Sequence, residues 1–285
     1  FCFCNEHMAP PEIYRDSPST PEALDESRPW QVRIVPNLYP ALDATVLSEI
    51  EQRSDFFTCQ SGMGLHDVVI EHPEHNRFTP LMNSEEIEHV LSAFRWRFLQ
   101  IREDSRIGLI TIFKNHGRAA GTSLVHPHSQ IISTPMVPFF IRSLLDVATR
   151  YFEEFGRSVY RDMLEAELGD GRRILSESGH FVAYCPYGSR FPYEVWIQPK
   201  RDSSSFGAIT SEEVMDLSVV LGDVLGALYE GLGNPSFNYV IRTVPIAEEG
   251  KPHYVWHVEI VPRITTPAGF EMGSGVTINV AVPEE

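Results

Sequence analysis

The order of apolar and polar positions predicts the same series of elements twice along the chain. Two segments alternate apolar and polar residues and then turn at proline, namely WQVRIVPNLYPALD at 30–43 and FVAYCPYGSRFPY at 181–193. Each leads into a β-branched and aromatic run that ends in proline and a charged residue, LHDVVIEHPEHN at 65–76 and YEVWIQPKRD at 193–202. These patterns are typical of strands that end in proline-bounded loops.

Both copies continue into a predicted helix with the same start signal. Asn83 and Thr210 stand 127 positions apart, and each has a glutamate three residues on, which predicts a capping box. Apolar residues then recur at helical spacing in each helix. They are Ile87, Val90, Leu91, Phe94 and Phe98 in the first and Val214, Leu217, Val220, Leu221 and Val224 in the second.

Each copy closes with two further strand patterns, IGLITIFKN and SLVHPHSQIIS in the first and FNYVIRTV and HYVWHVEIVPRI in the second. The order strand, strand, helix, strand, strand predicts an α+β fold with an antiparallel sheet flanked by helices. The two copies could form one continuous sheet or a pair of sheets. We divide the chain into an N-terminal half, 1–138, and a linking helix with a C-terminal half, 139–285.

Two other segments carry weaker patterns. Residues 139–168 are predicted to be helical, and a core stripe is expected from Leu144, Leu145, Val147, Tyr151 and Phe152. The tail, AGFEMGSGVTINVAVPEE, is rich in glycine and then strand-like, and it could cover a site.

Composition narrows the class of protein and of partner. The chain has 285 residues, of which 42% are hydrophobic, and this predicts a folded globular protein. A net charge of −16 argues against non-specific binding to nucleic acid or to anionic membranes. No apolar run approaches the ~20 residues that cross a bilayer, and the first residues carry no signal pattern, so a cytoplasmic location is expected.

The segment GTSLVHPHSQII at 121–132 holds the candidate chemistry. His126 and His128 flank Pro127, and residues two apart in a strand point to the same face. Proline cannot donate to a strand ladder, which indicates a functional strand end or edge. The two histidines alone leave metal binding, nucleophilic catalysis and a plain surface role open.

The loop before them favours phosphate chemistry. Its sequence, NHGRAAGTS, has glycines for close approach, polar side chains and successive N–H groups able to hold phosphate oxygens. A phosphate cradle beside an imidazole suggests attack on phosphorus.

These motifs, with NEHMAPPE, VPNLYPAL, HPEHN and AGFEMGSG, resemble the galactose-1-phosphate uridylyltransferases of the histidine-triad superfamily. The resemblance covers most of the chain and implies two histidine-triad-like halves, the second degenerate. It also implies that His128 is the nucleophile and that Gln130 binds the phosphate of a covalent intermediate. The implied substrate-binding residues are Asn37 near the nucleoside, and Asn115, Gly117, Gly121, Thr122 and Ser123 along the phosphates.

The resemblance further implies a structural zinc held by Cys2, Cys4, His75 and His126. Two thiolates and two imidazoles suit a closed tetrahedral zinc site. The family has Cys-x-x-Cys, whereas one residue separates the cysteines here, so the sequence departs from the family at this point. The histidines His66, His72, His89, His116 and His180 are interpreted as solvated or locally hydrogen-bonded.

The leading hypothesis is therefore a nucleotidyltransferase of carbohydrate metabolism. It would move UMP from UDP-glucose to galactose 1-phosphate through a nucleotidyl-histidine, and the family implies a homodimer. One alternative is a phosphorylase that passes AMP from ADP-glucose or a dinucleoside polyphosphate to phosphate. A non-catalytic, zinc-stabilised nucleotide-binding protein is the alternative of another class.

Overall fold

A single antiparallel sheet contains ten of the twelve strands in the part of the chain that this computed structural model describes, residues 9–16 and 30–285. The strands are β1 Tyr14–Asp16, β2 Val32–Pro36, β3 Ile50–Gln52, β4 Thr58–Gln60, β5 Leu65–Ile70, β6 Leu109–His116, β7 His128–Thr134, β8 Ile174–Glu177, β9 Phe181–Tyr184, β10 Val195–Pro199, β11 Phe237–Arg242 and β12 His257–Pro262. β3 and β4 form a separate two-stranded sheet.

The two halves of the sheet have the same strand order, read outward from its centre. It runs β1-β2-β5-β7-β6-β11-β12-β10-β9-β8, so that each half uses its strands in the same order outward from the β6–β11 pair. Phe113 of β6 pairs with Val240 of β11 at this junction. The continuous sheet follows because strands with one face to bury extend a neighbouring sheet by backbone pairing.

Five helices accompany the strands in the described residues, and their bounds are α1 Ser84–Arg102, α2 Phe139–Phe155, α3 Val159–Asp170, α4 Ser211–Leu232 and α5 Gly269–Ser274. Both predicted capping boxes are confirmed, since Asn83 and Thr210 each accept from the N–H of the glutamate three residues on. The mixed α+β architecture with an antiparallel sheet flanked by helices is likewise confirmed. No helix in the described ranges combines the length and apolarity needed to cross a membrane.

The helices α1 and α4 cover one face of the sheet and form the main core with it. Every apolar position predicted for these two helices is buried. They meet alternate residues of the central strands, such as Ile112 of β6, Ile131 of β7 and Ile241 of β11. The remaining positions of these strands therefore point to the opposite face, as the period of two in a strand requires.

The opposite face is covered over the C-terminal half by α2 and α3. Leu145 and Ala148 of α2 pack there with Tyr160 of α3 and Tyr254. The predicted core stripe is wrong at Val147, which is 52% exposed, because the face that packs is the one at Ile141, Leu145 and Ala148. The helical prediction for 139–168 is confirmed as two helices, α2 and α3, because Gly156 ends α2 in a left-handed conformation.

The tail differs from its prediction. Its glycine-rich start forms the short helix α5, and residues 275–285 contain no strand. The tail packs instead through its end, where the Glu284 carboxylate accepts from Arg173 at 2.6 Å.

Candidate active site

A cavity of about 500 Å³ lies where β6 ends and β7 begins. It is lined by Phe78, Lys114, Asn115, His116, Gly117, Arg118, Thr122, Ser123, Leu124, Val125, His126, Pro127, His128 and Asn234. The structure thus brings together most of the predicted phosphate-binding residues and the candidate nucleophile. Gly121 and Gln130 lie beside the cavity, and Asn37 lines a different one.

Two glycines shape the loop that encloses this cavity. Gly117 (φ 78°) and Gly121 (φ 88°) bracket a 3₁₀ turn at Arg118–Ala120, and both adopt conformations that favour glycine. Lack of space also requires glycine at this position, because a Cβ on Gly117 would lie 2.2 Å from the Ser236 hydroxyl. The loop is therefore pressed against the segment that precedes β11.

One hydrogen bond fixes the tautomer of His128. Its Nδ1 lies 2.8 Å from the carbonyl oxygen of His126, which can only accept, so Nδ1 carries the proton. The lone pair is therefore on Nε2, the atom that a nucleophilic imidazole needs. Burial lowers the pKa of His128 from its ordinary value of 6.5, so the ring is neutral near pH 7.

The carboxamide of Gln130 is oriented by His66. The N–H of Ala41 donates to Nδ1 of His66 at 3.0 Å, which places the ring proton on Nε2. That Nε2–H donates to Oε1 of Gln130 at 2.7 Å. The amide nitrogen of Gln130 is left without an acceptor among the described residues, ready to donate to an anionic ligand.

A relay from the C-terminal half orients Asn115 in the same way. The Arg263 guanidinium, which can only donate, bonds to Oδ1 of Asn238, so the Asn238 amide nitrogen points away from Arg263. This nitrogen donates to Oδ1 of Asn115 at 2.7 Å and to the Ala120 carbonyl at 2.9 Å. The Asn115 amide nitrogen is thereby directed away from Asn238.

Asn37 lies in a neighbouring cavity of about 760 Å³ that includes Leu42, Asp43 and His66. Its side-chain nitrogen lies 3.0 Å from Nε2 of His66, and since both atoms carry protons this is a contact and not a hydrogen bond. Asn37 therefore touches the ring that orients Gln130, although it does not line the cavity of His128.

The two predicted zinc-binding histidines, His75 and His126, face each other with their Nδ1 atoms. Nδ1 of His126 lies 3.0 Å from Nδ1 of His75, and Nε2 of His126 lies 2.7 Å from the His72 carbonyl oxygen. That carbonyl accepts the Nε2 proton and leaves the Nδ1 lone pair of His126 directed at His75. Burial lowers the pKa of His126 to about 4, so the ring is neutral, as a ligand must be. The predicted ligands Cys2 and Cys4 lie outside the described residues, and residues 9–16 and 30–285 contain no group of three or more potential metal ligands.

A buried carboxylate ties together the strands beneath His128. Glu71 follows β5, and its side chain is fully buried. It accepts from Lys114 of β6 at 2.5 Å, from Ser129 of β7 at 2.5 Å and from Thr79 at 2.9 Å. Lys114 also lies 3.2 Å from the carbonyl oxygen of His128.

The C-terminal half repeats the geometry of His128 at a buried histidine. Phe113 pairs with Gln130 and Val240 pairs with Glu259, so the strand register makes His257 the counterpart of His128. His257 Nδ1 likewise lies 3.2 Å from the carbonyl oxygen two residues earlier. Its ring is 3% exposed and stacks on Trp196 at 4.3 Å, beneath α3.

Comparison with known proteins assigns this chain to a family. The family model described as "Galactose-1-phosphate uridyl transferase, N-terminal domain" matches residues 27–138. An ADP-glucose phosphorylase of Arabidopsis thaliana is 34% identical over all of this chain and 79% of its own length. A galactose-1-phosphate uridylyltransferase of Thermotoga maritima is 31% identical over 87% of this chain and 80% of its own length. The chain belongs to the galactose-1-phosphate uridylyltransferase family. It is accordingly a nucleotidyltransferase of that family.

A solved structure is also similar to this chain. A crystal structure titled as an ADP-glucose phosphorylase from Arabidopsis thaliana with bound ADP-glucose is 33% identical, with a TM-score of 0.85 over 99% of this chain and 86% of that chain. This chain is thus similar to family members that carry two different enzyme names.

Several residues of this family site had no role in the sequence analysis. Each forms a hydrogen bond with a residue far away along the chain. His66 bonds to Gln130, Asn238 bonds to Asn115, and Glu71 bonds to Lys114. The alternation of side chains along β5 puts His66 on the sheet face opposite the core, which is also the face of His128. This alternation was the one sequence signal that could have indicated a role for His66. The partners of Asn238 and Glu71 left no such local signal.

We predict that Glu71→Gln lowers the free energy of unfolding by about 3–5 kcal/mol, because it leaves the Lys114 charge buried without a counter-ion. Denaturant titration measures the loss. The double variant Glu71→Gln/Lys114→Met is the control, and it should be clearly more stable than the single variant since no buried charge remains. A single variant within about 1 kcal/mol of wild type would contradict this account of the ion pair.

Proposed function

We propose that the protein moves a nucleoside monophosphate from a nucleotide sugar to an acceptor phosphate through a covalent bond to Nε2 of His128. The Nε2 lone pair attacks the α-phosphorus, a P–N bond forms, and the sugar 1-phosphate leaves with the electrons of the broken P–O bond. An oxygen of the acceptor phosphate then attacks the same phosphorus and releases His128. The observation that carries this proposal is the hydrogen bond from His128 Nδ1 to the carbonyl oxygen of His126, which leaves Nε2 unprotonated beside the glycine loop.

The surrounding residues supply the donors that such a displacement needs. Charge on the equatorial oxygens of phosphorus is stabilised by fixed donors that require no reorganisation. The amide nitrogens of Gln130 and Asn115 are such donors, since their carbonyl oxygens are already occupied. Ser123 adds a hydroxyl group, whereas the Thr122 hydroxyl donates to the Leu124 carbonyl oxygen at 3.1 Å. Gly117 and Gly121 allow the backbone to approach the ligand.

Two substrate pairs fit this chemistry. UMP transfer from UDP-glucose to galactose 1-phosphate is supported by the Thermotoga maritima relative. AMP transfer from ADP-glucose to inorganic phosphate is supported by the Arabidopsis thaliana phosphorylase, whose similarity extends over this entire chain, and by the neighbour with bound ADP-glucose. The full-length similarity favours the AMP pair as the physiological one. A homodimer and a cytoplasmic location complete the proposal.

We expect one of the two donors, UDP-glucose or ADP-glucose labelled at the α-phosphate, to leave acid-labile, base-stable label on His128. Acceptors are then compared by the release of labelled product with galactose 1-phosphate or with inorganic phosphate. His128→Ala should lose the label entirely, whereas His180→Ala, a change at an exposed histidine, should keep it. Absence of label with both donors would overturn the covalent mechanism and favour a non-catalytic nucleotide-binding protein.

The pH dependence of the first half-reaction tests the state of His128. Since burial lowers its pKa below 6.5, the neutral nucleophile persists at lower pH, and the rate should fall only as pH drops through that lowered value. Single-turnover release of sugar 1-phosphate measures this rate without the acceptor, whose phosphate titrates near pH 6. An acidic limb centred above 6.5 would contradict the assignment.

We also propose that zinc is held by His75, His126, Cys2 and Cys4 as a structural ion. Tetrahedral zinc with Zn–N bonds of 2.0–2.1 Å places two nitrogen ligands roughly 3.3 Å apart, close to the 3.0 Å between the two Nδ1 atoms. The ion would link the cysteines to the loop that carries His126, two residues before His128.

Metal analysis of the purified protein should give about one zinc per chain, and removal by a chelator should lower the melting temperature. His75→Ala should lose stoichiometric zinc because it deletes one ligand, whereas His180→Ala should retain it. Zinc content that is unchanged in His75→Ala would exclude this ligand set.

A further inference from the structure

The C-terminal half reaches the cavity of His128 through a short loop after α4. This helix ends at Gly233, and Asn234 follows in the left-handed conformation with φ 57°. Only Tyr193 shares a positive φ among the described non-glycine residues. Asparagine tolerates this conformation better than most residues, and its N–H donates to the Tyr229 carbonyl at 2.7 Å. The turn directs the Asn234 side chain into the wall of the cavity.

His116 fixes the orientation of the Asn234 carboxamide. Nε2 of His116 lies 2.8 Å from Oδ1 of Asn234. The His116 ring is itself immobilised, since it stacks on Phe237 at 4.7 Å and meets the Phe78 ring edge-on at 5.3 Å. With its oxygen held by His116, the Asn234 amide has two N–H donors and no acceptor for them among the described residues.

The position of this amide matches the chemistry expected in the cavity. Asn234 and His128 line the same space, and Ser236 from the same loop touches the backbone at Gly117. In the proposed function the ligand carries phosphate oxygens, which only accept hydrogen bonds. A rigid amide donor is suited to such a ligand because it adds no charge and loses little entropy when it binds.

We propose that Asn234 is a substrate-contacting residue that donates from its amide nitrogen to a phosphate oxygen, and that His116 is its positioning residue. This inference rests on the proposed function. The phosphate belongs either to the departing sugar phosphate of the donor or to the acceptor, and the two half-reactions distinguish these sources. The degenerate half of the chain thereby completes the site of the active half.

The test begins with Asn234→Gly, which removes the amide and keeps the left-handed backbone without strain. Loss of a hydrogen bond to a charged ligand should lower kcat/KM by about 10- to 100-fold, mainly through a higher KM. Asn234→Asp should be worse, since a carboxylate repels phosphate and cannot donate. Tyr193→Gly is the matched control, because it makes the same backbone change away from the cavity and should leave the kinetics unchanged.

His116→Phe separates positioning from folding. It keeps an aromatic ring against Phe237 but removes the N–H that holds Asn234, so a smaller rise in KM is expected at an unchanged melting temperature. If the donor is contacted, single-turnover release of sugar 1-phosphate slows in Asn234→Gly. If the acceptor is contacted, only its reaction with preformed nucleotidyl-enzyme slows.

Two results would overturn the inference by different routes. Half-reactions within twofold of wild type in both Asn234 variants would reject it while the wild type still forms the adduct. If the wild type forms no adduct, the proposed function fails first, and equilibrium dialysis with labelled UDP-glucose and ADP-glucose then decides. An unchanged Kd for both nucleotide sugars in Asn234→Gly would reject the role of Asn234 in binding as well.

Discussion

The buried ion pair of Glu71 and Lys114 is the interaction on which the site depends. One carboxylate accepts hydrogen bonds from Lys114 of β6 and from Ser129 of β7, the two strands that enclose the glycine loop, and Ser129 is the residue next to His128. Burial alone would raise the pKa of Glu71, but Lys114 and the hydroxyl groups of Ser129 and Thr79 hold it below its usual value. The pair is costly to bury, and it fixes the register of the strands beneath His128.

The polar residues around His128 follow one rule. Each carboxamide has its oxygen occupied by a donor within the protein, so its nitrogen remains for the ligand. His66 does this for Gln130 and Asn238 does it for Asn115. The consequence is a set of neutral donors that match phosphate and do not have to reorient when the ligand binds or when charge shifts during the displacement.

The duplicated architecture explains how such a site is supported. In both halves a histidine lies at the same strand position, and its Nδ1 faces the backbone carbonyl oxygen of the residue two positions earlier. α3 covers His257, whereas His128 lines a cavity. Burial lowers the pKa of His257 to about 4. The His257 ring stacks on Trp196 and is therefore covered by protein. The C-terminal half contributes to the site through Asn238 and the loop before β11 instead of through its own histidine.

The elements that the sequence determined are those encoded by neighbours along the chain. Capping at Asn83 and Thr210, the buried faces of α1 and α4, and the glycine loop before His128 all depend on residues within a few positions of one another. Their physical origin is local: a cap bond, a helical period and a positive φ. The face of α2 was mispredicted because Val147 and Ala148 are both compatible with a helix, and only the packed sheet selects between them.

Tertiary structure decided the identity of each partner in the site. His66 meets Gln130 across 64 positions, His116 meets Asn234 across 118, and Asn238 meets Asn115 across 123. No local pattern encodes such pairs, because a hydrogen bond depends on the distance and direction of two atoms that the strand register alone brings together. The resemblance carried by the sequence implied His128 as the nucleophile, and the sheet decided which side chains hold its surroundings in place.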